Sequence, residues 1–167
     1  MKIKIRVSVI IAVKNGQEYI ERAVVSALNN MSQNDEIIIV DDGSKDKTAE
    51  IVKSYCKEKS YIRLIDFSRN YGKEAAVKAG LDAFNEDAAV VIDADLQMPI
   101  RYINDMIEHW EKGEKLVLTV RDKRVKGLKH KLAGSFYDVF NMMSKDHLKN
   151  DALDFQLMDK DVVEAFN

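Results

Sequence analysis

The 167-residue sequence predicts an α/β fold, a mainly parallel central sheet with helices on both faces. Three observations carry the prediction. Short apolar runs rich in β-branched residues alternate along the chain with amphipathic segments of helical period. The runs are nearly continuous, as strands covered on both faces must be. Two of them end abruptly in carboxylates: Ile37-Ile38-Ile39-Val40 enters Asp41-Asp42-Gly43-Ser44, and Ala88 to Ile92 enters Asp93-Ala94-Asp95.

The elements follow in order. Arg6 to Val13 reads as a buried strand. After the turn dipeptide Asn15-Gly16, residues Ile20, Val24, Ala27, Leu28 and Met31 share one helical face. Glu36 to Val40 is the second strand. Ser44 or Asp46 can cap the next helix, whose inner stripe is Ala49, Val52, Tyr55 and Cys56. Ile62 to Phe67 is a third strand and Lys73 to Phe84 a third helix, with Ala76, Ala79 and Gly80 on one face for close helix–sheet packing. Ala88 to Ile92 is the fourth strand. Pro99 suits the first turn of a helix with Ile103, Ile107 and Trp110 inward, because a missing N–H costs nothing there. Leu116 to Val120 is a fifth strand. A basic stretch then leads into a helix expected from about Leu128 to Met143, and Phe155 to Met158 is a short strand candidate. Asp161 to Asn167 reads as the start of a further helix, which fits residues 1–167 being one domain, the N-terminal catalytic part of a longer protein.

Composition narrows the function classes. An apolar fraction of 46% and a charged fraction of 32% describe a globular chain with a full core, not a disordered one. The net charge of -2 points to no nucleic acid, and the basic run lacks the interleaved aromatics that single strands stack on. The single cysteine, Cys56, excludes an internal disulfide and fits a reducing compartment. His109, His130 and His147 show no metal-ligand spacing, and no apolar run reaches the roughly 18 residues of a membrane span.

In parallel α/β sheets, ligands bind beyond the carboxyl ends of the strands. Asp41-Asp42 and Asp93-Ala94-Asp95 therefore share one rim. Paired carboxylates on a short bend suit a hard divalent cation, Mg²⁺ or Mn²⁺, and Gln97 can add a neutral oxygen. Such a cation would neutralise a leaving diphosphate. Asp41 or Asp42 can accept hydrogen bonds from a ribose or base, or cap the following helix. Arg69 and Lys73, after the third strand, can meet phosphate or an acidic neighbour. The run Arg121 to Lys131 carries six Lys or Arg residues beyond the fifth strand. It reads as a solvated helix face, or as a cationic partner for an anionic substrate or membrane surface.

Ser8-Val9-Ile10-Ile11, Val40-Asp41-Asp42-Gly43-Ser44 and Asp93-Ala94-Asp95 resemble, in order and spacing, the family 2 glycosyltransferases of the GT-A, Rossmann-like fold. Ser68-Arg69-Asn70-Tyr71-Gly72-Lys73-Glu74-Ala75-Ala76, Ile92 to Gln97 and Asp151 to Met158 are similar to motifs of the polyprenyl- or dolichyl-phosphate sugar transferase branch. The resemblance implies an inverting transfer of a sugar from a UDP-sugar or GDP-mannose to a polyprenyl phosphate, in cell-envelope glycan synthesis. By position it implies that Ala12, Lys14, Asp41, Asp42, Lys73, Asp93 and Ala94 hold the nucleotide-sugar. Asp93, Asp95 and Gln97 would hold the metal, Arg121 and Asp154 would serve catalysis, and Arg124 and Lys131 would bind donor or acceptor phosphate. It also implies a full-length protein at the cytoplasmic, inner face of the membrane, with a homo-oligomer left open.

Four departures stand out. Ala12-Val13-Lys14-Asn15 replaces the family's Pro-x-Tyr-Asn, Met98 an acid, Ile100 a proline, and Leu153 and Gln156 the branch's Gly and Arg. They leave an inactive nucleotide-sugar-binding module, or a family 2 transferase with a saccharide acceptor, as alternatives. A nucleotidyltransferase would need a Gly-rich phosphate loop after the first strand. A receiver domain would carry its acidic pair there instead of after the second.

Overall fold

The protein is described by a computed structural model covering residues 6–32, 34–96, 99–122, 127–132 and 152–165, with backbone only at 120–122, 127–132 and 152–154. Among the described residues seven strands form one sheet: β1 (Val7–Val13), β2 (Glu36–Asp41), β3 (Ile62–Asp66), β4 (Ala88–Asp93), β5 (Leu116–Asp122), β6 (Gly127–Leu132) and β7 (Ala152–Asp159), in the order β3-β2-β1-β4-β7-β5-β6. The first four are parallel neighbours, whereas β7 runs antiparallel to both β4 and β5, and β6 antiparallel to β5. The sheet is thus parallel in one half and antiparallel in the other, more mixed than the sequence suggests.

Five described helices cover it: α1 (Ile20–Asn30), α2 (Thr48–Glu58), α3 (Lys73–Ala83), α4 (Tyr102–Glu111) and the short α5 (Lys160–Glu164). The strand alternation divides the core in two. Val9, Ile11, Ile37, Ile39, Val90 and Ile92 pack on one face with Ile20, Val24, Val52, Ile103 and Met106. Ile10, Ile38, Val40, Ala89 and Val91 pack on the other, against Ala76 of α3. Small residues on α3 matter here: a Cβ on Gly80 would stand 2.4 Å from Ile10 Cγ2, so α3 rests directly on β1. Cys56 is half-buried against the first cluster.

Two local expectations are corrected. Residues Leu128 to Leu132, read as the start of a helix, form β6, with Lys129 opposite Val120 and Lys131 opposite Leu118. Helical spacing of Leu and Lys competes poorly with an open strand edge that supplies a ladder of partners. The rest of that expected helix lies outside the described residues. Pro99 precedes α4 by a turn of its own, its carbonyl accepting from Tyr102 N–H at 3.2 Å, instead of occupying the helix's first position.

At the far end of the sheet, Asp159 joins β7 to α5. Its buried carboxylate accepts from Trp110 Nε1 at 2.7 Å, Lys115 Nζ at 2.9 Å and the Asp161 N–H at 2.9 Å. Burial pushes its pKa up, but the donors from Trp110, Lys115 and Asp161 outweigh it and leave the net value below the ordinary one. A depressed folded-state pKa gives stability that is present above the unfolded value, about 3.9, and is lost as pH falls through the folded one. Asp159→Asn should therefore cost about 1.5–3 kcal/mol at pH 7. In urea melts its deficit against the parent should shrink as the pH is lowered below about 4.

Candidate functional site at the carboxyl rim of the parallel strands

Register brings the two acidic loops together. Asp41 ends β2 opposite Val13, and Asp93 ends β4 opposite Ala12, so only the end of β1 separates them. The adjacent carboxylates of Asp41 and Asp42 then part. Asp41 continues the alternation of Ile37 and Ile39 toward α2, where its charge reaches Lys53, while Asp42 continues that of Ile38 and Val40 toward α3.

Asp41 is fully buried. Its Oδ1 accepts from the Ser44 N–H at 2.8 Å, and its Oδ2 has no hydrogen-bond partner among the described residues. An orphaned carboxylate oxygen in the interior is costly unless a water, an ion or a ligand meets it. Asp42, by contrast, is occupied by backbone. It accepts from Tyr71 N–H at 2.6 Å and from Gly72 N–H at 3.1 Å. Gly43, at φ +66°, permits this approach, because a Cβ there would stand 2.3 Å from the Arg69 carbonyl carbon. Gly72, at φ +98°, then turns the chain into α3.

The first residue of α3, Lys73, reaches across the end of β1 to Asp93, with Nζ 2.6 Å from Oδ1. A cavity of about 250 Å³ lies here, lined by Ala12, Lys14, Asp42, Asn70, Lys73 and Asp93 among others. Ligand pockets usually span about 300–1,000 Å³, so this one takes part of a ligand and leaves the rest over the open rim. Past Asp93 the chain bends sharply. Ala94 is buried and Asp95 exposed, and Leu96 takes a left-handed φ of +57°. The phenol of Tyr19 lies between this bend and the loop after β1; burial first, then the charges of Asp95, Asp46 and Glu18, push its pKa up.

That loop is tied to the Asp41–Ser44 loop by reciprocal hydrogen bonds. Asn15 N–H donates to Ser44 Oγ at 2.7 Å and Gly16 N–H to Thr48 Oγ1 at 2.8 Å. In return, Lys45 N–H donates to Asn15 Oδ1 at 2.9 Å and Lys47 N–H to Gln17 Oε1 at 3.1 Å. Asp46 accepts from Gln17 N–H and from Thr48 N–H, so it braces the neighbouring loop against the start of α2, although the N-cap position itself is Lys47 and carries no side-chain cap. The wall is rigid although the Pro-x-Tyr-Asn pattern is absent. The sequence reading missed Asn70, Tyr19 and this lattice; the clustered Asn, Gln, Ser and Thr of the two loops were the signal.

The remaining predicted residues are reached by backbone alone or not at all. The β4–β7 ladder runs up to Val91 opposite Gln156; beyond it β7 is irregular, with a register shift between Gln156 and Ala152, and Asp154 lies on that stretch, toward the rim. Arg121, beside Val120 near the end of β5, belongs to the same rim, roughly 10 Å away across two strand spacings. Lys131 pairs with Leu118, three positions down from Arg121, and so is not at the rim with it. Gln97 and Arg124 lie outside the described residues.

A parallel half-sheet extended by antiparallel strands, with the acidic loops after β2 and β4 flanking the end of β1, defines a GT-A domain. The chain belongs to glycosyl transferase family 2, whose profile matches residues 8–165. It is 37% identical over 166 residues to the uncharacterized glycosyltransferase YkcC of Bacillus subtilis, covering 96% of this chain and 51% of that protein. It is 42% identical over 131 residues to the prophage bactoprenol glucosyl transferase homolog of Escherichia coli, covering 77% and 43%. Among solved structures, the mannosyltransferase PcManGT of Pyrobaculum calidifontis, in complex with GDP-Man and Mn²⁺, superposes with a TM-score of 0.72 at 18% identity, covering 99% of this chain and 48% of that one. The chain spans about half the length of the curated relatives it matches.

Proposed function

We propose that this chain is the catalytic domain of an inverting glycosyltransferase. It moves a sugar from a nucleoside-diphosphate donor to a polyprenyl phosphate in cell-envelope glycan synthesis, at the inner face of the membrane. The observation that carries the donor half is the cavity at the carboxyl rim lined by Lys14, Asp42, Lys73 and Asp93, with the buried, unpartnered Asp41 Oδ2 in the adjoining loop. A uracil or guanine ring offers an N–H for a carboxylate of that loop and carbonyl oxygens for lysine. A solved relative by fold, S. aureus TarS, is known in complex with UDP. The acceptor half rests on the relatives named bactoprenol glucosyl transferase.

The donor set fits a divalent ion. Asp93 and Asp95 supply two carboxylates on one bend, and no group of three or more His, Cys, Asp or Glu is present among the described residues. Mg²⁺ is commonly held by one or two carboxylates together with substrate phosphates. Asp93, Asp95 and Gln97 would hold Mg²⁺ or Mn²⁺, which when bound supplies charge to stabilise the departing diphosphate. The chain's own residues do the rest. Asp41 and Lys14 orient the base, and the Asp42-held turn and Lys73 fix the near wall. Arg121 and Arg124 supply positive charge for the acceptor phosphate. That phosphate, with a second pKa of about 6, is already largely ionised at pH 7. An acceptor oxygen attacks the anomeric carbon as the bond to the diphosphate breaks, and the electron pair leaves with the nucleoside diphosphate. No strong base is needed, so Asp154 acts by alignment.

The test is thermal. Mn²⁺ with UDP or GDP should raise the melting temperature, by the equivalent of about 2.7 kcal/mol at a hundred times the dissociation constant. Asp95→Asn should remove that rise. Absence of a shift with either nucleotide and metal would count against a donor site.

A further inference from the structure

We propose that Lys73 is a built-in counter-ion of the donor site. It holds Asp93 until a divalent cation and a nucleoside diphosphate bind together, and then transfers its charge to the diphosphate. The proposal rests on the reading above that Asp93 and Asp95 hold the metal. Three features of the chain place the ammonium there. The Asp42 carboxylate fixes the N–H groups of Tyr71 and Gly72, and so the point at which α3 begins. Gly80 seats α3 directly on β1. Ala12, at the end of β1, is small enough to let the lysine cross the cavity to Asp93.

The pair is also displaceable. The side chains of Lys73 and Asp93 are 41% and 34% exposed, so the contact at 2.6 Å is strong in geometry and modest in free energy. A divalent ion at Asp93 competes with the ammonium held on Oδ1. A metal arriving alone therefore binds at the expense of the Lys73–Asp93 contact. When a diphosphate arrives too, it offers the lysine a second anion, and that cost is offset. Metal and nucleotide thus become coupled ligands, and the coupling is reciprocal. Lys73 is a residue whose removal helps one ligand and harms the other. A lysine needed only to build the site would harm both.

The decisive measurement titrates the protein with Mn²⁺ alone, following free Mn²⁺ by EPR, and repeats it with saturating UDP and with saturating GDP. Lys73→Met should bind Mn²⁺ alone about fivefold more tightly than the parent, the scale of one half-exposed ion pair. The nucleotide-induced gain in Mn²⁺ affinity should shrink by at least the same factor. Lys73→Arg, which keeps the charge, should follow the parent, and circular dichroism confirms folding of both variants. If the parent shows nucleotide-enhanced Mn²⁺ binding but Lys73→Met binds Mn²⁺ alone no more tightly, the counter-ion role is overturned and the donor site stands. If the parent shows no Mn²⁺ binding with either nucleotide, both readings fall.

Discussion

Asp41→Asn should abolish most nucleotide binding while leaving the protein as stable as its parent, or more so. The substitution keeps an oxygen for the Ser44 N–H, now held at 2.8 Å by Oδ1. It replaces the unpartnered Oδ2, in a fully buried residue, with a neutral amide. Removing a charged oxygen that no protein group satisfies relieves a desolvation cost, so the folded state gains or breaks even. The ligand fares differently. A base N–H that donated to a carboxylate would meet an amide N–H₂ instead, and hydrogen bonds to charged groups are worth about 1.5–3 kcal/mol. Affinity for UDP or GDP in Mn²⁺ should fall by about 10- to 150-fold in calorimetry, with no loss in melting temperature. A clear drop in melting temperature with nucleotide affinity retained would make Asp41 a structural residue.

The contrast between neighbouring carboxylates marks how far the sequence could be read. The rim was legible, because apolar runs that stop at Asp41 and Asp93 can only be buried strands with their polar ends at one edge. Strand ends alone could not say which carboxylate faces which layer. That follows from the pleat, and a shift of one residue in the start of β2 reverses it. Nor could spacing say that Asp42 is consumed by backbone N–H groups 29 and 30 residues away, since a contact of that range is set by where α3 lands. The antiparallel half was harder still. β7 threads between β4 and β5, two strands not adjacent to it in sequence, and β6 carries a pattern of Leu and Lys that suits a helix as well as an edge strand. Long-range pairing, not local preference, decides such segments. The same threading carries Asp154 toward the rim that holds Asp93, on an irregular stretch of β7.

Asp42→Ala should be the most damaging substitution at the rim, and through geometry instead of lost ligand contact. In the parent, Tyr71 N–H donates to Asp42 alone among the described residues, at 2.6 Å. Gly72 N–H has a second acceptor in Asn70 Oδ1 at 3.1 Å. Alanine leaves the first donor unsatisfied and weakens the second, at a cost of about 2–3 kcal/mol. For a chain of this size that lowers the melting temperature by about 5–10 °C. The effect then spreads along the backbone. The turn carrying Arg69, whose guanidinium lies 4.7 Å from the Tyr71 ring centre, loses its anchor, as does the start of α3 with Lys73. Nucleotide affinity should fall with stability, unlike in Asp41→Asn. Asp42→Asn keeps one acceptor oxygen, so it should fall between parent and alanine on both measures. If Asp42→Ala melted like the parent yet lost nucleotide binding, the carboxylate would be a ligand contact and the clamp would be incidental. Parallel losses in melting temperature and affinity, graded from asparagine to alanine, would establish that the second carboxylate of the pair shapes the site that the first one serves.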